Sequence, residues 1–147
     1  MDLASFVGKV RSPVVFTWLG DASVWRQKRR PDEIARQAGL APPADALRPL
    51  DPTLAAKVFA YLRSESLTHG RKRYRAGFFS ECRDMLGELG DGSQFYSNSD
   101  FEGWFQDGPE PAGWGFTPLT DFDIDTGIVG VSSDGRCGFV FWRGENS

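Results

Sequence analysis

Near the carboxyl end the chain reads GIVGVSSDGRCGFVFW, Gly127 to Trp142, and no other stretch limits the fold as strongly. Apolar and β-branched residues flank Asp134-Gly135, the strongest short hairpin signal a sequence can carry. A two-residue turn at that pair sets Val131 opposite Gly138, Val129 opposite Val140 and Ile128 opposite Phe141. The last two pairs oppose bulky side chains, which supports the register. Gly130 and Gly138 leave space on the sheet for another element to approach.

Upstream, PVVFTWLG (Pro13 to Gly20) has the β-branched and aromatic content of a buried or half-buried strand. PDEIARQAGLAPP follows as a short helix, with Pro31, Asp32 and Glu33 in its first turn and Gly39 closing it. The prolines of APPADALRPL leave no second helix at helix-turn-helix distance, which excludes that motif. DPTLAAKVFAYLRSESLTHG is the clearest helix. Asp51 caps it, Pro52 takes its first position, and Leu54, Val58, Tyr61 and Leu62 recur at helical spacing with Glu65. His69 before Gly70 suits its C-terminus, where a cation favours the dipole. A second strong helix runs through AGFFSECRDMLGELG, with Phe78, Cys82, Met85, Leu86 and Leu89 on one face and Gly90 past its end. After Gly90 the chain turns Gly-, Ser- and Asp-rich, with interleaved aromatics. Ser99 and Glu102 have capping-box spacing, so SDFEGWF is expected to form a turn or two of helix. DGPEPAGWG is a loop. The expected class is α+β: a single domain over residues 1–147, an antiparallel sheet with a C-terminal β-hairpin packed against two or three helices.

The net charge of −3 hides a split. Residues 1–90 hold 15 Lys/Arg against 10 Asp/Glu, a net of +5, and residues 91–147 hold 2 against 10, a net of −8. The first part is basic and helical, the second acidic and aromatic-rich, a polarity suited to a charged partner. RQKRR (Arg26 to Arg30) and RKRYR (Arg71 to Arg75), with Tyr74 as a stacking ring, give an alternative reading as a nucleic-acid or nucleotide-binding module. A pI near 5.2 argues against it. No apolar run reaches the roughly 20 residues that span a bilayer. MDLASFVGKV lacks the basic and apolar regions of an export signal, so the expected compartment is the cytoplasm. One His and two Cys, Cys82 and Cys137, offer little to a zinc site or a His-based triad, and both thiols read as buried and reduced. No metal and no cofactor are expected.

TDFDIDTG, Thr120 to Gly127, sets Asp121, Asp123 and Asp125 at every second position. An EF-hand loop wants Gly at position 6 and Glu at position 12; counted from Asp121 these are Thr126 and Ser132. The phosphotransfer pattern D-x-D-x-T/V fails as well, with Asp125 or Gly127 at its fifth position. Paired carboxylates for glycoside hydrolysis fit the spacing alone, and nothing around them shapes a sugar groove. The period of two predicts an amphipathic strand, Phe122 and Ile124 inward and the three aspartates outward. Asp is a poor strand former, and so concentrated an acidic face favours a basic partner. The expected partner-binding residues are Asp121, Asp123, Asp125, Asp107 and Glu110, with Trp104 and Trp114 as aromatic anchors.

The stretch GWGFTPLTDFDIDTGIVGVSSDGRCGFVFW resembles the C-terminal part of immunity proteins of bacterial polymorphic-toxin and contact-dependent systems. Trp114, Pro118-Leu119-Thr120, Asp123, Asp125, Gly127 and the hairpin ending in Trp142 carry the resemblance. It implies an α+β domain that binds a cognate toxin, a basic protein in many such systems, and blocks its active site. It implies no catalytic residues. The expected function is therefore an immunity or inhibitor-type protein rather than an enzyme.

Overall fold

The computed structural model describes residues 1–23, 25, 30–64, 74, 76–101, 103–105 and 115–146. Among them are helices α1 (Leu3–Lys9), α2 (Pro31–Gln37), α3 (Pro52–Ser64) and α4 (Ala76–Gly87). The strands are β1 (Val15–Asp21), β2 (Arg48–Leu50), β3 (Gln94–Ser97), β4 (Ile124–Val131) and β5 (Cys137–Glu145). The strands form one sheet in the order β1-β5-β4-β3-β2, every neighbouring pair antiparallel. This is the expected α+β class.

The helix ends follow the capping chemistry of the sequence. Asp51 accepts from the backbone N–H of Thr53 (2.9 Å) and Leu54 (3.1 Å) at the start of α3. Pro31 opens α2, and Gly39, at φ +90°, turns the chain after it. Two elements gave no readable signal. In α1, Asp2 caps through Ser5 N–H at 2.7 Å, but only Leu3 and Phe6 are buried, too few for a periodic stripe. β2 holds three residues around Pro49. The expected helix at SDFEGWF is absent among its described residues. Ser99 Oγ accepts from Phe101 N–H at 3.4 Å, Phe101 takes φ +59°, and Trp104 N–H closes a turn on the Phe101 carbonyl.

The hairpin has the predicted register, Ile128 opposite Phe141, Val129 opposite Val140 and Val131 opposite Gly138. Its loop is longer than two residues. Ser132 N–H donates to the Cys137 carbonyl, and within that closure Gly135 N–H reaches back to the Ser132 carbonyl. Because the loop is centred on Asp134-Gly135, the register is unaffected.

Both faces of the sheet are covered. One carries Ile128, Phe139 and Phe141 into a core with Phe6, Phe59, Tyr61, Cys82 and Met85 from α1, α3 and α4. The Phe59 ring lies 5.0 Å from Phe141 and 5.6 Å from Phe139, centroid to centroid. The opposite face carries Val129, Val131, Val140 and Trp142 against Ile34 and Ala35 of α2, with Leu40, Leu47 and Leu119. Gly130 and Gly138 are the close-approach points expected: a Cβ on Gly130 would lie 2.8 Å from the Phe95 ring, and one on Gly138 2.9 Å from the Trp18 ring.

Candidate functional site

The acidic motif divides at Ile124, where β4 begins. Residues 119–123 form a bend ahead of the strand, and Asp121 and Asp123 stand exposed on it. Asp125 does not. It is fully buried, which corrects the expectation of three outward aspartates. Within the strand the alternation holds, Asp125 lying on the side of the sheet opposite Ile124, but it breaks in the bend, where Phe122, expected to point with Ile124, packs over Gly144 on Asp125's side. That side is not wet: Asp125 shares it with Gly127 and Trp142, roofed by the segment at Leu119. Period-two spacing predicts which residues share a face, and covering by another layer decides whether the face meets water.

The buried carboxylate organises the bend. Its Oδ1 accepts from Leu119 N–H (3.0 Å), Trp142 Nε1–H (2.9 Å) and Asn98 Nδ2 (3.4 Å). Its Oδ2 accepts from Thr120 N–H (3.1 Å) and the Thr120 hydroxyl (2.7 Å). A buried carboxylate needs such donors to replace its lost water. Asn98 binds the same corner, donating to the carbonyls of Thr117 and Asp125 at 2.9 Å each and accepting from the Thr126 hydroxyl at 2.7 Å. Ser97 Oγ donates to the Gly127 carbonyl at 2.6 Å. A side chain at Gly127 has no room, since its Cβ would lie 2.1 Å from the Phe141 carbonyl oxygen. Leu119, Thr120, Asp125, Gly127 and Trp142 are thus one hydrogen-bonded and packed unit.

The outer half of the bend is pinned to the same frame. Thr120 Oγ1 accepts from Phe122 N–H at 3.1 Å, and Asn146 Oδ1 accepts from Asp123 N–H at 3.1 Å. The Leu119 carbonyl accepts from Ala41 N–H at 2.9 Å, tying the bend to the chain after α2. Phe122 lies over Gly144, where a Cβ would come within 2.3 Å of the ring, and meets Phe16 of β1 edge-to-face at 6.4 Å. These pieces enclose an open cleft of about 310 Å³. Phe16 and Phe122 form an aromatic wall, Pro118 and Leu119 an aliphatic one, and among the described residues Asp121 is the ionisable one that lines it. An apolar cleft with a carboxylate at its lip suits a side chain with a cationic head and an apolar stem. A larger trough of about 450 Å³ beyond Asn98 carries both Arg48 and Asp100 and so has no comparable charge preference.

No protein-family model, curated protein or solved structure matches the chain.

Trp104, expected as an anchor, is 3% exposed. It packs edge-to-face on Phe101 (4.8 Å) and Tyr61 (5.5 Å) in the main core, where a partner cannot reach it. Trp114, Asp107 and Glu110 lie outside the described residues, as do Glu65, His69, Glu102 and all of the two basic clusters except Arg30 and Tyr74. Arg30 precedes α2 as its N-cap residue. Tyr74 packs against Phe79 (5.5 Å) and Phe105 (5.4 Å), which occupies the ring expected to stack on a base. Burial raises the Cys82 thiol to about 11, opposed by its hydrogen bond and charge interaction with Arg63, whose Nη1 lies 3.5 Å from the sulfur. Burial also raises Cys137, and the charges of Asp134 and Glu88 add to it. Both cysteines are free thiols, Cys82 buried and Cys137 half-buried. Among the described residues no group of three or more His, Cys, Asp or Glu could hold a metal, and no helix is long and apolar enough to cross a membrane. Sequence reasoning missed Phe16 as a wall of the cleft because its partner Phe122 is more than a hundred residues away.

Proposed function

We propose that this chain is an immunity or inhibitor-type protein that binds and neutralises a cognate basic toxin through its acidic C-terminal bend. The observation that supports it is the pairing of exposed Asp121 and Asp123 with an aromatic-walled cleft, on a bend held by hydrogen bonds to Asp125. A rigid acidic surface accelerates encounter with a basic protein and loses little entropy on docking. The cleft supplies the concave apolar contact that charge alone lacks. The toxin is sought in the reading frame next to the gene for this chain. Co-expression should then rescue cells from it, and the purified pair should associate faster at low salt. Asp121→Lys with Asp123→Lys should slow association at least tenfold while leaving the fold intact. Unchanged association kinetics in that folded variant would remove the bend from the interface, and failure to protect cells would remove the toxin reading itself.

A further inference from the structure

Among the described residues β1 ends the sheet on one side, and its outer edge offers main-chain groups in a fixed pattern. Gly144 N–H donates to the Val14 carbonyl and Ala22 N–H to the Arg136 carbonyl, both in register with the pairing of β1 and β5. Phe16, Trp18 and Gly20, of the same parity, therefore exchange their bonds with β5. Val15, Thr17 and Leu19 turn their N–H and C=O groups to the open edge. Of these, Val15 N–H makes a long 3.4 Å bond to the Ser12 carbonyl.

Edge strands are ordinarily blunted by lysine, proline, a bulge or short length. The opposite edge follows that rule, since β2 is three residues long with Pro49 at its centre. β1 does not: Val15–Asp21 is seven residues, its first six uncharged, and Val15, Phe16, Trp18 and Leu19 are each only half-buried.

We infer that β1 is the docking edge for a second copy of this chain, paired antiparallel about Thr17. The strand is self-complementary in that register. Val15 opposes Leu19, Phe16 opposes Trp18 and Thr17 opposes its own mate, all favourable cross-strand pairs. A register centred on Leu19 would instead set Trp18 against Gly20 and Thr17 against Asp21. The charges agree as well. Arg11 and Asp21 bracket the neutral stretch, so antiparallel pairing brings the Arg11 end of one copy beside the Asp21 end of the other. The two-fold axis also joins like faces: Val15 and Leu19 belong to the α1, α3 and α4 layer and Phe16 and Trp18 to the α2 layer, so both cores continue across the junction. This inference stands independently of the toxin-binding reading.

The test is sedimentation velocity on the full chain from about 1 μM to about 1 mM, spanning weak to moderate self-association. A concentration-dependent dimer is expected, with amide-exchange protection at Thr17 and Leu19 that rises with concentration. Thr17→Pro removes an N–H that makes no bond to β5 and should weaken the dimer about tenfold or more, one donor being lost from each copy. Thr17→Lys sets like charges opposite each other at the axis and should act in the same direction. Circular dichroism verifies the fold, and Thr17→Lys decides the matter if the proline variant does not fold. A monomer throughout the range, or a dimer that folded Thr17→Lys leaves unchanged, overturns the inference.

Discussion

Replacing Asp125 separates a structural carboxylate from a docking one. In Asp125→Ala, the N–H groups of Leu119 and Thr120, the indole N–H of Trp142 and the Thr120 hydroxyl lose their acceptor together. Leaving a buried donor unsatisfied costs about 1–3 kcal/mol, and the hydroxyl can turn to another partner. Three stranded N–H groups at the middle of that range give about 6 kcal/mol, a large share of the roughly 10 kcal/mol that holds a domain of this size. Asp125→Asn is the sharper variant because it keeps the shape. Its NH2 is best placed where Oδ2 stood, facing the Thr120 hydroxyl, which can rotate to accept; Thr120 N–H then has no acceptor. The expected loss is about 2–3 kcal/mol. Asp121→Asn and Asp123→Asn, exposed on the bend, should stay within about 0.5 kcal/mol of the parent. Urea denaturation measures all four, with equal m-values confirming two-state behaviour. In a thermal scan Asp125→Ala should melt about 10–20 °C lower. A loss below about 1 kcal/mol for Asp125→Ala, or Asp125→Asn no worse than Asp121→Asn, would refute the assigned role.

Glycine substitutions test the packing. Gly127→Ala drives a Cβ to 2.1 Å from the Phe141 carbonyl oxygen and 2.6 Å from Trp142 Cα, backbone atoms of the paired strand, and should cost at least about 3 kcal/mol in urea denaturation. Gly77→Ala, in the first turn of α4 with nothing within 4 Å of its Cβ, should instead stabilise by about 0.5–1 kcal/mol in the same assay. The raised thiol of Cys82 sets an alkaline limit. The unfolded thiol ionises from about 9.0 and the folded one only near about 11, so the folded state holds the proton longer. Stability should therefore be unaffected below pH 9 and fall by about 1–2 kcal/mol as pH rises to about 11, and Cys82→Ala should flatten that slope. Native protein at pH 8 should leave Cys82 unlabelled by a thiol reagent until denaturant is added; rapid labelling without denaturant would contradict its burial.

The parts of the fold that were legible are those in which local chemistry and tertiary demand coincide. Asp134-Gly135 between β-branched runs fixed the pairing of β4 and β5, and Asp51-Pro52 fixed the start of α3, because turn and cap need only neighbouring residues. What escaped has its cause at long range. α1 buries only Leu3 and Phe6, and its first N–H is taken by Glu88 Oε2 at 3.0 Å, a partner 85 residues away. β2 is a strand because β3 lies beside it, with Pro49 opposite Tyr96. Trp104, expected as an exposed anchor, belongs to the core because Tyr61 and Phe101, 43 and 3 residues away, enclose it. Of the candidate site, Asp121 and Asp123 were correctly placed in the open, and the cleft beside them was invisible, since its walls come from β1, the chain after α2 and the bend.

Asp125 shows why a regular acidic spacing misleads. Three aspartates at period two carry the same local signature whether they line a solvent face or divide between a bend and a strand. The division here is set by Ile124, where pairing with Glu145 begins, and by the indole of Trp142, a donor that an apolar-looking hairpin supplies from inside. The residues that carry the resemblance to immunity proteins include Leu119, Thr120, Asp125, Gly127 and Trp142, and in the fold these hold the bend in place, Leu119 and Thr120 also lining the cleft. A motif of this kind specifies a scaffold. Asp121 and Asp123 are the acidic positions that this frame leaves exposed, and their substitution is expected to cost little stability. Affinity should accordingly respond to Asp121 and Asp123 with stability constant, whereas Asp125 variants should lose stability and, through a loosened bend, affinity with it; folded Asp121→Lys and Asp123→Lys variants that bind a partner as the parent does would break that separation.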